Sequence, residues 1–120
     1  MAGNISLEQL DALSAEQLDG IEYGVIRMTH GGIVTDYNSA EQRLSGLQRA
    51  QVLGQNFFAE VAPCTNNFMV AQKYLEVTEL DETIDYVFTL RMKPTPVSLR
   101  MLRSASSDFQ YLLVWRREVA

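Results

Sequence analysis

The last third of the chain, "TIDYVFTLRMKPTPVSLRMLRSASSDFQYLLVWRR" (residues 83–117), decides the fold because it contains three apolar runs with the pattern of β-strands. In the first run, residues 83–92, every second side chain is apolar, which is typical of a strand with one buried face. The side chains on that face are Ile84, Tyr86, Phe88, Leu90 and Met92. "KPTP" and a Ser/Asp segment predict turns before further strands at 97–104 and 109–117. We therefore expect a three-stranded meander.

A hairpin is predicted nearer the N-terminus. "IEYGVIRM" (21–28) and "IVTDY" (33–37) are rich in strand-forming residues, and "THGG" between them is a turn signal. The hairpin and the meander together supply five antiparallel strands.

Short helices are predicted between the hairpin and the meander. Asn38 is a good N-cap and Gly46 a natural stop for a helix over "NSAEQRLSG". "QRAQVLG" and "NFFAEVAP" are typical of further helical turns. A longer helix is expected over 68–77, with Phe68, Ala71 and Leu75 facing inward.

The first 20 residues predict two short helices. Ser6 with Gln9 and Ser14 with Gln17 have the spacing of capping boxes. We interpret residues 1–20 as a helical cap and 21–120 as the core of one domain. A five-stranded antiparallel sheet with short helices on one face is the PAS fold, an α+β architecture whose ligand site lies between sheet and helices.

Composition excludes several classes of function. A net charge of −5 argues against nucleic-acid binding, and no apolar run approaches the roughly 20 residues that span a membrane. One cysteine and no secretory signal predict a cytoplasmic protein. His30 is the only histidine, so we expect no metal site and no His-based catalysis. Arg100, Arg103, Arg116 and Arg117 are expected on solvated faces.

Three polar residues form one candidate constellation. Glu41 fits two interpretations: a capping partner of Asn38, or a carboxyl group inside an apolar cavity that stays protonated and donates a hydrogen bond. Tyr37 can donate a second hydrogen bond, and Ser45 can orient one of them. Such donors suit an anionic ligand.

Cys64 also has two interpretations. A lone cysteine is usually a small buried apolar residue, but its thiol can also anchor a ligand permanently. No basic residue or histidine stands beside it, which argues against hydrolytic chemistry.

The sequence resembles the photoactive yellow protein family over about residues 17–117. The resemblance is carried by "QLDGIEYGVI" (17–26), "YNSAE" (37–41), "VLGQNFFAEVAPCT" (52–65) and "DYVFTLRMKPT" (85–95). It implies a blue-light photoreceptor with p-coumaric acid bound to Cys64 as a thioester. Tyr37 and Glu41 would hydrogen-bond the phenolate, and Ser45 would support Tyr37. The implied chromophore lining is Ile26, Phe57, Val61, Ala62, Pro63, Thr65, Phe88 and Met92.

The resemblance also implies a mechanism without substrate turnover, so the protein is not expected to be an enzyme. Light would isomerise the chromophore from trans to cis and Glu41 would protonate the phenolate. The resulting buried carboxylate would have no partner, and partial unfolding would follow. An unidentified downstream signalling protein is the expected partner.

One departure keeps an alternative open. Leu47 stands where the best-known family members carry an arginine over the pocket. The alternative is a PAS sensory or interaction module that binds another small apolar ligand, or only a partner protein, and has no photochemistry.

Overall fold

The computed structural model describes residues 5–89 and 94–116, which form a five-stranded antiparallel sheet. The strands lie side by side in the order β2-β1-β5-β4-β3, so that β1 and β5 meet near the centre. Their bounds are Gly24–Thr29 (β1), Val34–Tyr37 (β2), Leu80–Phe88 (β3), Thr95–Arg103 (β4) and Phe109–Arg116 (β5). The predicted hairpin and meander are thus confirmed, apart from the predicted positions of Leu90 and Met92, which lie outside the described residues.

Short helices fill the predicted places. They are Leu7–Asp11 (α1), Ala15–Asp19 (α2), Ser39–Ser45 (α3), Arg49–Val52 (α4) and Ala71–Glu76 (α5). A π-helix spans Phe57–Val61 and a 3-10 helix spans Pro63–Thr65. Both predicted capping boxes are present at the starts of α1 and α2. Among residues 5–89 and 94–116, every helix is too short or too polar to cross a bilayer.

The sheet separates two apolar clusters. On one face, strand residues such as Ile26, Leu112 and Val114 pack against α4, α5 and the segment around the π-helix; we call this cluster the major core. On the other face, Val25 and Leu113 pack against α1 and α2, and we call this cluster the cap core. Alternate side chains of β1 and β5 therefore serve two cores, as the period of a strand requires.

The prediction for residues 68–77 is wrong in its phase. The helix covers only Ala71–Glu76, and the side chains of Phe68 and Leu75 are exposed, at 70% and 76%. The side chain of Asn67 accepts hydrogen bonds from the amides of Met69 and Val70, which holds a turn where the helix was expected to begin. The buried residues of this segment are Val70, Ala71 and Tyr74, so the predicted inward position is confirmed for Ala71 and wrong for Phe68 and Leu75.

Candidate functional site

Asn38 fixes the start of α3 and thereby the position of Glu41. Its Oδ1 accepts hydrogen bonds from the backbone amides of Glu41 (3.1 Å) and Val25 (2.9 Å). Its Nδ2 donates to the carbonyls of Leu18 (2.9 Å) and Tyr23 (3.0 Å). The N-cap of α3 is therefore also a junction with β1 and with the end of α2.

The Glu41 carboxyl group lies against the backbone of β1. A Cβ atom on Gly24 would stand 2.0 Å from Glu41 Oε1, so this close approach requires glycine. In a capping box the Glu41 carboxylate would accept a hydrogen bond from the backbone amide of Asn38. That amide instead donates to the carbonyl of Val25. Asn38 caps the helix as predicted, but the capping interpretation of the Glu41 side chain is wrong.

Arg116 is the partner of Glu41. Its Nη1 lies 3.0 Å from Oε1 and its Nη2 lies 3.4 Å from Oε2, while the two side chains are only 16% and 1% exposed. The guanidinium also lies over the ring of Phe88, 5.8 Å from the centroid. Within the described part of the chain, Arg116 Nε is buried and has no hydrogen-bond partner.

The pairing of Arg116 corrects two sequence-based expectations. Neither Arg116 nor Arg100 belongs to a solvated face, since both side chains are mostly buried and paired, Arg100 with Asp81. An ionised Glu41 would also not lack a partner. The signal for Arg116 was present in the alternation of β5, where Leu112, Val114 and Arg116 fall on the face of the major core.

Tyr37 ends β2 and is buried beside the same carboxyl group. Its hydroxyl donates to Ser45 Oγ at 2.8 Å, and Ser45 Oγ also accepts the amide of Leu47 at 3.1 Å. Burial raises the pKa of the Tyr37 phenol, and the nearby Glu41 charge raises it further. Tyr37 therefore keeps its proton and remains a hydrogen-bond donor at neutral pH.

Opposing effects act on Glu41. Burial raises the pKa of its carboxyl group above the usual value, because the charged form loses its water. Arg116, by charge and by hydrogen bonding, opposes that rise, and Tyr37 does so more weakly. The carboxyl group is thus held between a protonated form favoured by burial and an ionised form favoured by Arg116.

Cys64 lies in the 3-10 helix that follows the π-helix. It is partly buried and packs against the major core. Its carbonyl accepts hydrogen bonds from the Tyr86 hydroxyl at 2.6 Å and from Asn67 Nδ2 at 3.1 Å. The backbone that carries the thiol is therefore fixed to β3 from outside the helical segment.

The other predicted site residues have different environments. Five of them, together with Tyr37, are buried or partly buried in contact with one core: Ile26, Phe57, Val61, Ala62 and Phe88. Thr65 is buried and donates through its hydroxyl to the carbonyl of Ala62 at 2.7 Å. Pro63 is exposed. The predicted contact of Met92 lies outside the described residues.

Comparisons with known proteins agree with this architecture. The PAS fold pattern matches residues 14–117. The photoactive yellow protein of Rhodothalassium salexigens is 33% identical over 103 residues, which are 83% of this chain and 82% of that protein. The protein of the same name from Halochromatium salexigens is 33% identical over 107 residues, 87% of this chain and 86% of that protein.

A solved relative is similar in both sequence and structure. The photoactive yellow protein domain of the sensor histidine kinase Ppr from Rhodospirillum centenum superimposes with a TM-score of 0.81 at 32% identity, covering 90% of this chain and 97% of that domain. PAS domains of this kind are sensory signalling modules and not enzymes. The chain belongs to the photoactive yellow protein family of PAS domains.

Proposed function

We propose that this protein is a blue-light photoreceptor that carries p-coumaric acid as a thioester on Cys64. One observation carries the proposal. Glu41 is buried beside Tyr37 and Arg116, and Tyr37 belongs to the same apolar core against which the only thiol of the chain packs.

The residues present suit such a chromophore. Phe57 and Phe88 offer aromatic surface to a planar ring. Burying a phenolate in this interior would cost several kcal/mol, as for any unpaired charge, unless hydrogen-bond donors offset the lost hydration. Tyr37, Arg116 and a protonated Glu41 are such donors.

Attachment needs one acyl transfer and no catalytic base. The sulfur of Cys64 attacks the acyl carbon of an activated p-coumaroyl compound, and the thioester bond forms as the bond to the leaving group breaks. The thiol proton departs with that leaving group or to solvent. The hydrogen bond from the Tyr86 hydroxyl to the carbonyl of Cys64 would keep the backbone in place while the side chain is acylated.

When bound, the chromophore supplies the absorption of blue light and trans–cis isomerisation. The protein supplies Glu41, which can hold a proton and release it toward the phenolate. It also supplies the connection from α3 to the cap, because Asn38 bonds to both. Asn38 would thereby transmit a displacement of α3 to residues 5–20, which is the partial unfolding expected for signalling.

The signal would be read by another protein or domain. The relative from Rhodospirillum centenum is itself a domain of a sensor histidine kinase. A downstream signalling partner is therefore the corresponding proposal for this chain, and its recognition surface would include the cap.

The test is reconstitution of the ligand-free protein with p-coumaric anhydride. We expect one p-coumaroyl group per chain by intact mass, a yellow product, and bleaching under blue light followed by dark recovery. Cys64→Ser should remain colourless under the same conditions, while its circular dichroism spectrum stays that of the parent protein.

Two results would contradict the proposal. Failure of the folded parent protein to form the adduct would remove the chromophore. An adduct that forms on Cys64 but never bleaches would remove the photochemistry. In either case the remaining interpretation is a PAS module for another apolar ligand or for a partner protein.

A further inference from the structure

The Glu41–Arg116 pair has an unusual environment for an ion pair. Both members are largely buried, and Arg116 Nε has no hydrogen-bond partner among residues 5–89 and 94–116. The guanidinium also faces Phe88, an aromatic residue that the proposed chromophore would touch. A guanidinium that is buried but not fully hydrogen-bonded keeps donor capacity for one more acceptor.

Charge counting shows what such an acceptor would do. Ionised Glu41 and Arg116 form a neutral pair. A phenolate added to this interior makes the cluster carry one net negative charge, which low-dielectric surroundings strongly disfavour. Uptake of one proton by Glu41 restores neutrality, and Arg116 then balances the phenolate in place of the carboxylate.

Few other charged groups compete for this role among the described residues. Tyr37 faces Glu41 from β2 and stays neutral, and β1 presents the backbone of Gly24. Asp19 of α2 lies at the other end of the junction, where it accepts from the amide of Ser39 and pairs with Arg49. Arg116 is thus the cation that directly contacts Glu41.

We propose that Arg116 is a positioning residue for the proposed ligand: a counter-ion that pairs with the Glu41 carboxylate in the ligand-free protein and with the phenolate of a bound ligand in the loaded protein. This inference rests on the proposed function and adds a role for a residue on β5.

The experiment is a spectroscopic titration of the phenol in the reconstituted adduct. Removing an opposite charge that lies within about 4–6 Å raises the pKa of an acidic group by about 1–3 pH units. We expect that rise in Arg116→Met and a smaller rise in Arg116→Lys, which keeps the charge but loses the planar fork.

Arg103→Met is the matched control. Arg103 lies on β4 and donates only to the neutral oxygens of His30 and Gln110 in the described contacts. The phenol pKa of the Arg103→Met adduct should equal that of the parent adduct. A phenol pKa in Arg116→Met that equals the value in Arg103→Met overturns the inference but leaves the photoreceptor intact. Absence of any adduct in the parent protein overturns the proposed function, and the inference with it.

A second readout needs no ligand. Without Arg116, the pKa of Glu41 in the folded state should rise further above its unfolded value, so stability is lost as the pH increases through that folded pKa. The urea midpoint of ligand-free Arg116→Met should therefore continue to fall at pH values where that of Arg103→Met has levelled off, which gives it the larger average slope. Adding Glu41→Gln should abolish the extra slope. Equal slopes in the two single variants would contradict the pairing itself.

Discussion

Two arginines lie on opposite faces of the sheet and differ in how completely they are hydrogen-bonded. On the cap side, each nitrogen of Arg27 donates: Nε to the Tyr111 hydroxyl (2.9 Å), Nη1 to Asp36 (3.0 Å), and Nη2 to the carbonyls of Leu10 (2.7 Å) and Leu13 (2.9 Å). On the other side, Arg116 donates to a single carboxylate and leaves Nε unpartnered in the described structure.

The difference separates a structural cation from one suited to a ligand. Arg27 joins the first helix, both strands of the hairpin and the last strand, and four of its five N–H groups already donate in these bonds. Arg116 can change partner at low cost, because a new acceptor replaces the hydrogen bond lost to the carboxylate and can also accept from the unused Nε–H. A buried charge alone therefore does not identify a binding site. A buried charge with donors that no protein group accepts is the better indication.

The largest effect is expected from Arg27→Met. This change removes one member of a buried pair and leaves two backbone carbonyls of the cap without their donor, which costs roughly 3–5 kcal/mol. Urea unfolding of the ligand-free protein measures the loss. Lys73→Met, which breaks a half-exposed pair with Glu82, should change stability by less than about 1 kcal/mol. Similar losses in the two variants would contradict the structural role of Arg27.

A smaller effect is expected from Gly24→Ala. The added methyl group would meet Glu41 Oε1 and force the carboxyl group to shift, an overpacking cost of about 1–3 kcal/mol. Unfolding experiments measure this cost. Gly31→Ala is the control, because its Cβ would have only an ordinary contact at 3.7 Å. If Gly24→Ala unfolds like Gly31→Ala, the Glu41 carboxyl group does not lie against β1.

The smallest effect concerns pH. The pKa of Glu41 is raised in the folded state, so its protonation stabilises the fold fully below the unfolded pKa, and this contribution is lost as the pH rises through the folded pKa. Glu41→Gln cannot titrate. Relative to this variant, the parent protein should lose stability with increasing pH, by at most about 1.4 kcal/mol for each pH unit that separates the unfolded pKa from the folded one. A stability difference that stays constant across the pH range would show that folding leaves the Glu41 pKa unchanged.

Much of the fold could be predicted because local signals agreed with one another. Strand alternation, the turn residues and the capping boxes each point to the element that forms. The segment after Cys64 could not be predicted in phase, since the decisive interaction is the side chain of Asn67 binding nearby amides. Such a turn competes with a helix on energies too similar for a pattern of apolar residues to distinguish.

The candidate site was only half visible in the sequence. Tyr37, Glu41 and Ser45 are neighbours along the chain, so their proximity follows from local geometry. Arg116 is 75 residues away from Glu41 along the chain, and the two meet only because β5 lies beside β1. Alternation in β5 indicates which face Arg116 occupies but not which group it meets there. Contacts of this range depend on the order of strands in the sheet.

The side chain of Asn38 accepts and donates hydrogen bonds, and these bonds hold three parts of the molecule together: α3, β1 with the residue before it, and the end of α2. If α3 leaves its place, the amide of Val25 and the carbonyls of Leu18 and Tyr23 lose a partner in the same event. Each orphaned buried group costs about 1–3 kcal/mol, so partly released states are disfavoured. We therefore expect these hydrogen bonds to be lost together when α3 is displaced.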